Sequence, residues 1–229
     1  MRGMSHGVMV VGILGIGAIV LPLSASSSSG RSVTGSAATL AAHNVTCHSG
    51  DVLTGFFGDV TVPAGNFCYL LQAVVEGNVV ANGATQLGID HSVITGNVTA
   101  NRVTDNGWIC GSQIAGNVTI EHASSNPETT NSPGTWVIGD SSLFGGVSYC
   151  GNTGFDQVPG NAIEGGLTFV SNASGGAISD NDIEHALTCT GDAGSLTGGG
   201  NQVDGLNSGQ CSAFGGGTDD DSVSPGDND

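Results

Sequence analysis

A short phrase recurs through this chain at a nearly constant interval. The segment Val75-Glu76-Gly77-Asn78-Val79 returns as residues 94–98 and again as residues 114–118, and more degenerate copies follow. An anchor position, Gly in every copy except His185, falls at residues 58, 77, 96, 116, 145, 165, 185 and 205. The steps between anchors are 19, 19, 20, 29, 20, 20 and 20 residues. A fixed period near 20 residues predicts a solenoid, in which each repeat is one coil stacked on the previous one.

The columns around the anchor predict strands rather than helices. The residue two places before the anchor is always large and apolar, and the residue two places after it is aliphatic in all but the last copy, as at Val79, Val98 and Val118. The next residue is small and mostly hydroxylic. Because neighbours on a strand point to opposite faces, the aliphatic column should point inward and the Thr column outward. We therefore predict an all-β, single-domain parallel β-solenoid (β-helix) of about eight coils of about 20 residues, each rising about 4.8 Å.

The anchor phrase itself suggests how successive coils meet. Gly indicates either a positive φ or a close approach between coils, and His185 at the same position argues for a bend without a strict positive φ. The next residue is Asn78, Asn97 and Asn117 in three successive copies. Stacked one above another, these side chains are predicted to form a hydrogen-bonded amide ladder along the rod.

The two ends of the chain differ in composition from the repeats. Arg2 precedes an uncharged apolar stretch, Val8 to Leu23, that small residues follow, which is typical of a secretory signal. We predict a signal peptide over residues 1–25, with Ala38 and Ala42 as alternative cleavage points, and no membrane span after cleavage. Residues 26–43 are Ser, Gly, Ala and Thr rich and predict a flexible linker. The solenoid is expected over residues 44–212, followed by an acidic disordered tail over residues 213–229.

Charge excludes two classes of partner. The whole chain has 3 Lys and Arg residues against 20 Asp and Glu, and its net charge is −17. Nucleic acids and anionic lipid surfaces both require a cationic protein surface. We therefore expect binding to neither.

Cysteine spacing predicts disulfides between neighbouring coils. Cys47 and Cys68 are 21 residues apart and Cys189 and Cys211 are 22 apart, so each pair is separated by about one coil. One coil of separation brings two Cα atoms to about 5 Å, which a disulfide accepts. The remaining pair, Cys110–Cys150, is assigned by elimination only, since its spacing is not a whole number of coils.

An acidic column is the sharpest candidate site. Glu164, Glu184 and Asp204 each stand one place before an anchor, and Asp180 and Asp182 precede Glu184 on what alternation makes the same side. Carboxylates about 5 Å apart repel unless a cation joins them, and Ca²⁺ takes such oxygen ligands. We predict a weak Ca²⁺ site at Glu164, Glu184, Asp204 and Asp182, with a solvated acidic stripe as the alternative. No other cofactor is expected.

The same carboxylates raise the alternative of an enzyme. A separation of about 5 Å suits a retaining glycosidase, and many β-helix proteins act on polysaccharides. Against this, carbohydrate-active β-helices are much longer, and the repeats contain only one Arg. With Trp108 and Trp136 as the only tryptophans, we also expect too few exposed aromatic residues for a sugar-binding surface. A polar insertion near residues 124–133, within the long step, is expected to leave the solenoid as a loop.

The Gly-Asn-Val phrases, the signal sequence, the cysteine pairs and the acidic end resemble a group of secreted bacterial Gly-Asn-Val repeat β-solenoid proteins of unknown function. The resemblance covers about residues 44–211 and implies export and the solenoid fold, but no catalytic residue. We therefore expect an extracellular or cell-surface structural or interaction protein. Its partner would be cell-envelope polysaccharide or another protein, and self-association through exposed strand edges is a further possibility. A polysaccharide hydrolase or lyase that uses the acidic column is the alternative.

Overall fold

The computed structural model describes residues 42–124 and 136–215, which form a parallel β-solenoid and so confirm the predicted fold class. The stack makes about seven full turns, slightly fewer than the eight expected. The predicted signal peptide, nearly all of the linker, most of the insertion and residues 216–229 of the acidic tail lie outside the described residues. Among the described residues, no helix is long and apolar enough to cross a membrane.

Each regular coil has three short strands. In chain order the strands are β1 (Val45–Thr46), β2 (Asp51–Phe57), β3 (Val60–Val62), β4 (Phe67–Val75), β5 (Val79–Asn82), β6 (Gln86–Asp90), β7 (Val93–Ile94), β8 (Val98–Asn101), β9 (Asn106–Cys110), β10 (Gln113–Ile114), β11 (Val118–Glu121), β12 (Trp136–Gly139), β13 (Ser142–Leu143), β14 (Val147–Cys150), β15 (Asp156–Pro159), β16 (Ala162–Ile163), β17 (Leu167–Val170), β18 (Gly176–Ser179), β19 (Asp182–Ile183), β20 (Leu187–Thr190), β21 (Leu196–Gly199), β22 (Gln202–Val203) and β23 (Asn207–Gly209).

These strands form three faces. The first face is a nine-stranded sheet in the order β1-β3-β5-β8-β11-β14-β17-β20-β23. The second face carries β6, β9, β12, β15, β18 and β21, and the third carries the two-residue strands β7, β10, β13, β16, β19 and β22. The second and third faces belong to one sheet, because the longer strands β2 and β4 run from one face onto the other.

The interior is built from side chains in register, as the repeat predicts. Val79 pairs with Val98 and Val98 with Val118, and all three are buried. The following residues, Thr99 and Thr119, pair with each other and point outward. Because aliphatic side chains of one coil lie on aliphatic side chains of the next, each coil covers the apolar interior of its neighbour.

Two of the three corners use left-handed backbone. The corner between the first and second faces has positive φ at residues such as Arg102 (φ 53°), and the corner between the second and third faces has it at residues such as His91 (φ 47°). The residue after each of these is buried, as Val103 and Ser92 are. A single left-handed residue therefore turns the chain and sends the next side chain inward.

The third corner contains the anchor and works by close approach. A Cβ atom at Gly96 would lie 2.5 Å from the carbonyl oxygen of Gly77 in the preceding coil, and one at Gly116 equally close to that of Gly96. Neither anchor glycine has a positive φ. The anchor is thus a bend without left-handed backbone, as His185 suggested, and glycine is favoured there because the coils nearly touch.

Three ladders of side-chain hydrogen bonds run along the rod. The predicted ladder lies at the third corner and is exposed: the Asn97 N–H donates to Oδ1 of Asn78 (2.9 Å) and the Asn117 N–H to Oδ1 of Asn97 (2.8 Å). Two further ladders are buried. At the second corner the Asn161 N–H donates to Oδ1 of Asn181 (2.9 Å), and at the first corner the Asn152 N–H donates to Oδ1 of Asn172 (3.0 Å).

The cysteines confirm two of the three expected disulfides. Cys47–Cys68 and Cys189–Cys211 are formed, with Cα atoms 6.0 and 5.4 Å apart, and they tie together neighbouring coils near the two ends of the stack. The third assignment is wrong, because Cys110 and Cys150 are both free thiols. Cys110 ends a strand of the second face and Cys150 ends a strand of the first, so the coil geometry holds them on different faces.

Candidate functional site

The predicted acidic column lies on the outside of the rod. Ile163, Ile183 and Val203 are in register on the third face, and Glu164, Glu184 and Asp204 follow them directly. The Glu184 N–H donates to the Ile163 carbonyl (2.9 Å) and the Asp204 N–H to that of Ile183 (3.0 Å), so the three carboxylates occupy successive coils. All three residues are exposed.

The two Asp residues near this column occupy different places. Asp182 is exposed on the third face, in register with Ala162 and Gln202, and therefore forms a separate column beside the first. Asp180 has φ 56° and lies at the second corner. Asp180, Asp182 and Glu184 are all exposed and the two residues between them are buried, so the alternation on which they were grouped holds here.

The part of the chain that the structure describes contains no group of three or more His, Cys, Asp or Glu side chains arranged to hold a metal ion. Calcium binding by Glu164, Glu184, Asp204 and Asp182 therefore stays a prediction. The glycosidase alternative needs one carboxylic acid shielded from water so that it keeps its proton. The three stacked carboxylates are all open to solvent.

A different acid is buried inside the rod. Asp156 lies on the inner side of β15, and Nδ2 of Asn152 donates to its Oδ2 (3.2 Å). Burial raises the pKa of the Asp156 carboxyl from 3.8 to about 7. The same burial, together with the nearby Asp156, raises the pKa of the Tyr149 hydroxyl well above 10.0. Asn152, Asp156 and Tyr149 are all buried, so this acid is part of the coil interior and does not face the surface.

The most distinctive outward feature is an aromatic patch on the second face, formed by Phe67, Tyr69 and Trp108. The rings of Tyr69 and Trp108 are stacked, with centroids 5.2 Å apart and planes 29° apart, and Phe67 lies 5.8 Å from Tyr69. All three side chains are partly exposed. Aromatic surface that faces water on a rigid sheet is a common basis for ligand contact.

A glycine makes this stack possible. Tyr69, Gly88 and Trp108 are in register on three successive coils, so the two aromatic residues are two coils apart. A Cβ at Gly88 would lie 2.5 Å from Trp108 and 2.7 Å from Tyr69. The two rings therefore lean toward each other over the empty position and cover the backbone of the middle coil.

Polar and apolar groups surround the patch. The Tyr69 hydroxyl donates to Oε1 of Gln86 (2.9 Å), and Nε2 of Gln86 donates to Oδ2 of Asp105 (2.7 Å). Leu71, 40% exposed, is two residues beyond Tyr69, and Val52, 54% exposed, is the register partner of Tyr69 in the preceding coil. The aromatic patch is thus bordered by a hydrogen-bonded amide, Gln86, and a carboxylate, Asp105.

The sequence did not predict this patch, because the number of tryptophans does not show which of them faces outward. Trp136 is buried, at 2% exposure, and packs in the core against Gly107. Trp108 is outward. The available signal was the spacing of Tyr69, Gly88 and Trp108, at steps of 19 and 20 residues, which is the coil period.

No protein-family model, no curated protein and no solved structure matches this chain. The resemblance to secreted Gly-Asn-Val repeat proteins therefore stays a prediction.

Proposed function

We propose that this chain is an extracellular, non-catalytic interaction solenoid that binds neutral cell-envelope polysaccharide through the aromatic patch of its second face. The observation that supports this most is the Tyr69–Trp108 stack, held over Gly88 beside the hydrogen-bonded Gln86. Sugar rings present C–H faces that pack on aromatic rings, and their hydroxyl groups bond to amide and carboxylate groups at the rim. The patch offers both kinds of contact.

Rigidity supports a binding role. The strands that carry Tyr69, Gly88 and Trp108 are hydrogen-bonded to one another in one sheet. The Tyr69 ring is fixed further by its hydroxyl bond to Gln86. Side chains that are ordered before the ligand arrives lose less conformational entropy on binding, which favours affinity.

Charge supports a neutral ligand. The net charge of −17 repels anionic polymers at low ionic strength, whereas a neutral glycan pays no such electrostatic penalty. The ring faces and the Gln86 amide carry no net charge, and the Asp105 carboxylate accepts hydrogen bonds. A neutral polysaccharide is therefore a better match than an acidic one.

The extracellular location is supported by the cysteines. Disulfides persist in oxidising compartments and are rare in the cytosol. Both disulfides join adjacent coils near the ends of the stack, which have a neighbouring coil on one side only. Together with the signal sequence expected over residues 1–25, this supports export.

Co-sedimentation of the exported chain with purified, insoluble envelope polysaccharide tests the binding. We expect saturable binding that is weakened at least about tenfold by Trp108→Ala or Tyr69→Ala, which corresponds to about 1.4 kcal/mol. Phe144→Ala is the matched control, because Phe144 is also partly exposed but does not belong to the patch. The proposal is contradicted if the unaltered chain does not bind, or if Trp108→Ala binds as well as Phe144→Ala.

A polysaccharide hydrolase is the second candidate function, and the stacked carboxylates of the acidic column favour it. Incubating the chain with the same polysaccharides and measuring new reducing ends distinguishes the enzyme from the interaction protein. Release of reducing ends that Glu184→Gln abolishes would support a hydrolase at the acidic column. Binding without release, unchanged in Glu184→Gln, is the result expected for the interaction protein.

A further inference from the structure

The two ends of the rod are finished differently. At the C-terminal end, Nδ2 of Asn201 donates to the Phe214 carbonyl (2.9 Å), and Gly215 forms a parallel bridge with Asn201. The Phe214 ring lies over Gly198, where a Cβ would be 2.9 Å from the ring. The segment that follows Cys211 therefore folds back on the last coil, with Phe214 over Gly198 of β21 and Gly215 beside the corner residue Asn201.

At the N-terminal end, β2 has a partner on one side only. Within residues 42–124 and 136–215, β2 pairs with β4 and with no other strand. Along the rod, outward residues donate their N–H to the preceding coil, as Glu76 donates to the Phe57 carbonyl and Thr95 to that of Val75. The same alternation directs the backbone groups of Val52 and Phe56, which are outward residues of β2, away from the stack.

The composition of β2 leaves this edge ready to pair. Natural edge strands are usually protected by Lys, Pro or inward-pointing charge. Residues 51–57 contain no Lys and no Pro, and the one acid, Asp51, stands at the start of the strand and accepts the His48 N–H (2.7 Å). Val52 and Phe56 are 54% and 58% exposed. The one break in register, between Leu53 and Gly55, is the corner where β2 passes from the second face to the third.

We propose that the β2 edge pairs with the β2 edge of a second copy of this chain, forming a head-to-head dimer across a two-fold axis. A two-fold axis perpendicular to the rod sets the two β2 strands antiparallel, so each strand supplies the donors and acceptors that the other needs. The paired strands would also cover Leu53, an inward side chain of the first coil that is only partly buried.

Charge favours this pairing over other contacts between copies. Residues 42–75 contain two acids, Asp51 and Asp59, whereas residues 176–215 contain five and no Lys or Arg. A head-to-head dimer joins the less acidic ends and keeps the more acidic ends apart. A two-fold contact uses the same edge on both copies, so the assembly closes at two copies and does not grow into a fibre.

The test is sedimentation velocity of the exported chain from micromolar to millimolar concentration. We expect a reversible monomer–dimer equilibrium that Phe56→Lys weakens at least tenfold. Val93→Lys is the matched control: Phe56, Val74 and Val93 lie in one outward column, and Val93 is 38% exposed but two coils away from the edge. Both variants add the same charge, so only the position differs.

Three results would overturn the proposal. A monomer at every concentration would show that no dimer forms. A series of larger oligomers would show that the assembly is not a closed two-fold dimer. Equal dimerisation by Phe56→Lys and Val93→Lys would show that β2 does not form the dimer interface. Far-ultraviolet circular dichroism of both variants verifies that the solenoid is intact. Polysaccharide binding at Tyr69 and Trp108 is measured independently, so the two proposals can fail separately.

Discussion

Tyr69 and Trp108 stack with ring centroids 5.2 Å apart although they lie two coils apart along the rod. Two coils correspond to about 9.6 Å of rise, so the rings meet only because both lean over the middle coil. Gly88 permits this, since any side chain there would collide with one ring or the other. In a solenoid, the choice of one small residue thus shapes the surface made by its neighbours above and below.

The buried asparagine ladder at the second corner should contribute more to stability than the exposed ladder at the third corner. Asn181 accepts from the Asn161 N–H and donates to the Val158 carbonyl (2.7 Å). Asn181→Ala leaves the buried Asn161 N–H without this partner and removes one of the bonds to the Val158 carbonyl, which is also paired with β18. A buried donor left unpaired costs about 1–3 kcal/mol and a lost hydrogen bond about 1 kcal/mol, so we expect a loss of about 2–4 kcal/mol in the free energy of unfolding. Urea denaturation measures it.

Asn97→Ala is the matched comparison for Asn181→Ala. Asn97 accepts the Asn117 N–H in the same way but at an exposed corner, where water replaces the lost bond. We expect a loss of less than about 1 kcal/mol. Equal losses from the two substitutions would show that burial does not set the strength of these ladders.

Asp156 makes stability depend on pH. The pKa of this carboxyl is raised by burial from 3.8 to about 7, so the folded chain holds a proton that the unfolded chain releases between these values. The contribution of Asp156 to stability is therefore present below pH 4, falls as pH rises from about 4 to 7, and is constant above. A difference of about three pKa units corresponds to about 4 kcal/mol.

Asp156→Asn removes this penalty while its amide oxygen can still accept the Asn152 bond. In urea denaturation we expect the variant to gain stability over the unaltered chain progressively from pH 4 to pH 7. Asp182→Asn, at an exposed position, should change stability by less than about 0.5 kcal/mol at each pH. A gain from Asp156→Asn that is the same at pH 4 and pH 8 would contradict the raised pKa.

The two free thiols, Cys110 and Cys150, can be counted by alkylation. Alkylation of the unreduced, denatured chain followed by mass spectrometry should modify Cys110 and Cys150 and leave the other four linked. Only reduction should expose Cys47, Cys68, Cys189 and Cys211. A peptide that joins Cys110 to Cys150 within one chain would contradict their places on different faces.

The repeat period predicted the features that depend only on stacking. Val79, Val98 and Val118 lie in one buried file, the two near-coil cysteine pairs are bonded, and Glu164, Glu184 and Asp204 lie on successive coils. Each follows from adding one coil to a known position. No knowledge of the cross-section was required.

Features that depend on the cross-section could not be predicted in the same way. The place of Cys110 relative to Cys150 depends on which of three faces each strand joins. Ser141, Asn161 and Asn181 recur at the 20-residue coil period, but polar side chains carry no sequence signal for burial, and only the corner geometry explains why they are buried.

Binding at the aromatic patch is tested most directly by tryptophan fluorescence in a chain that keeps only Trp108. Trp136→Phe provides it, because Trp136 is buried and its indole N–H has no hydrogen-bond partner. Soluble neutral envelope polysaccharide should shift the Trp108 emission and reduce its quenching by acrylamide, while Trp108→Phe, which keeps Trp136, should show neither change. Emission and quenching of Trp108 that stay the same at saturating polysaccharide would contradict the account.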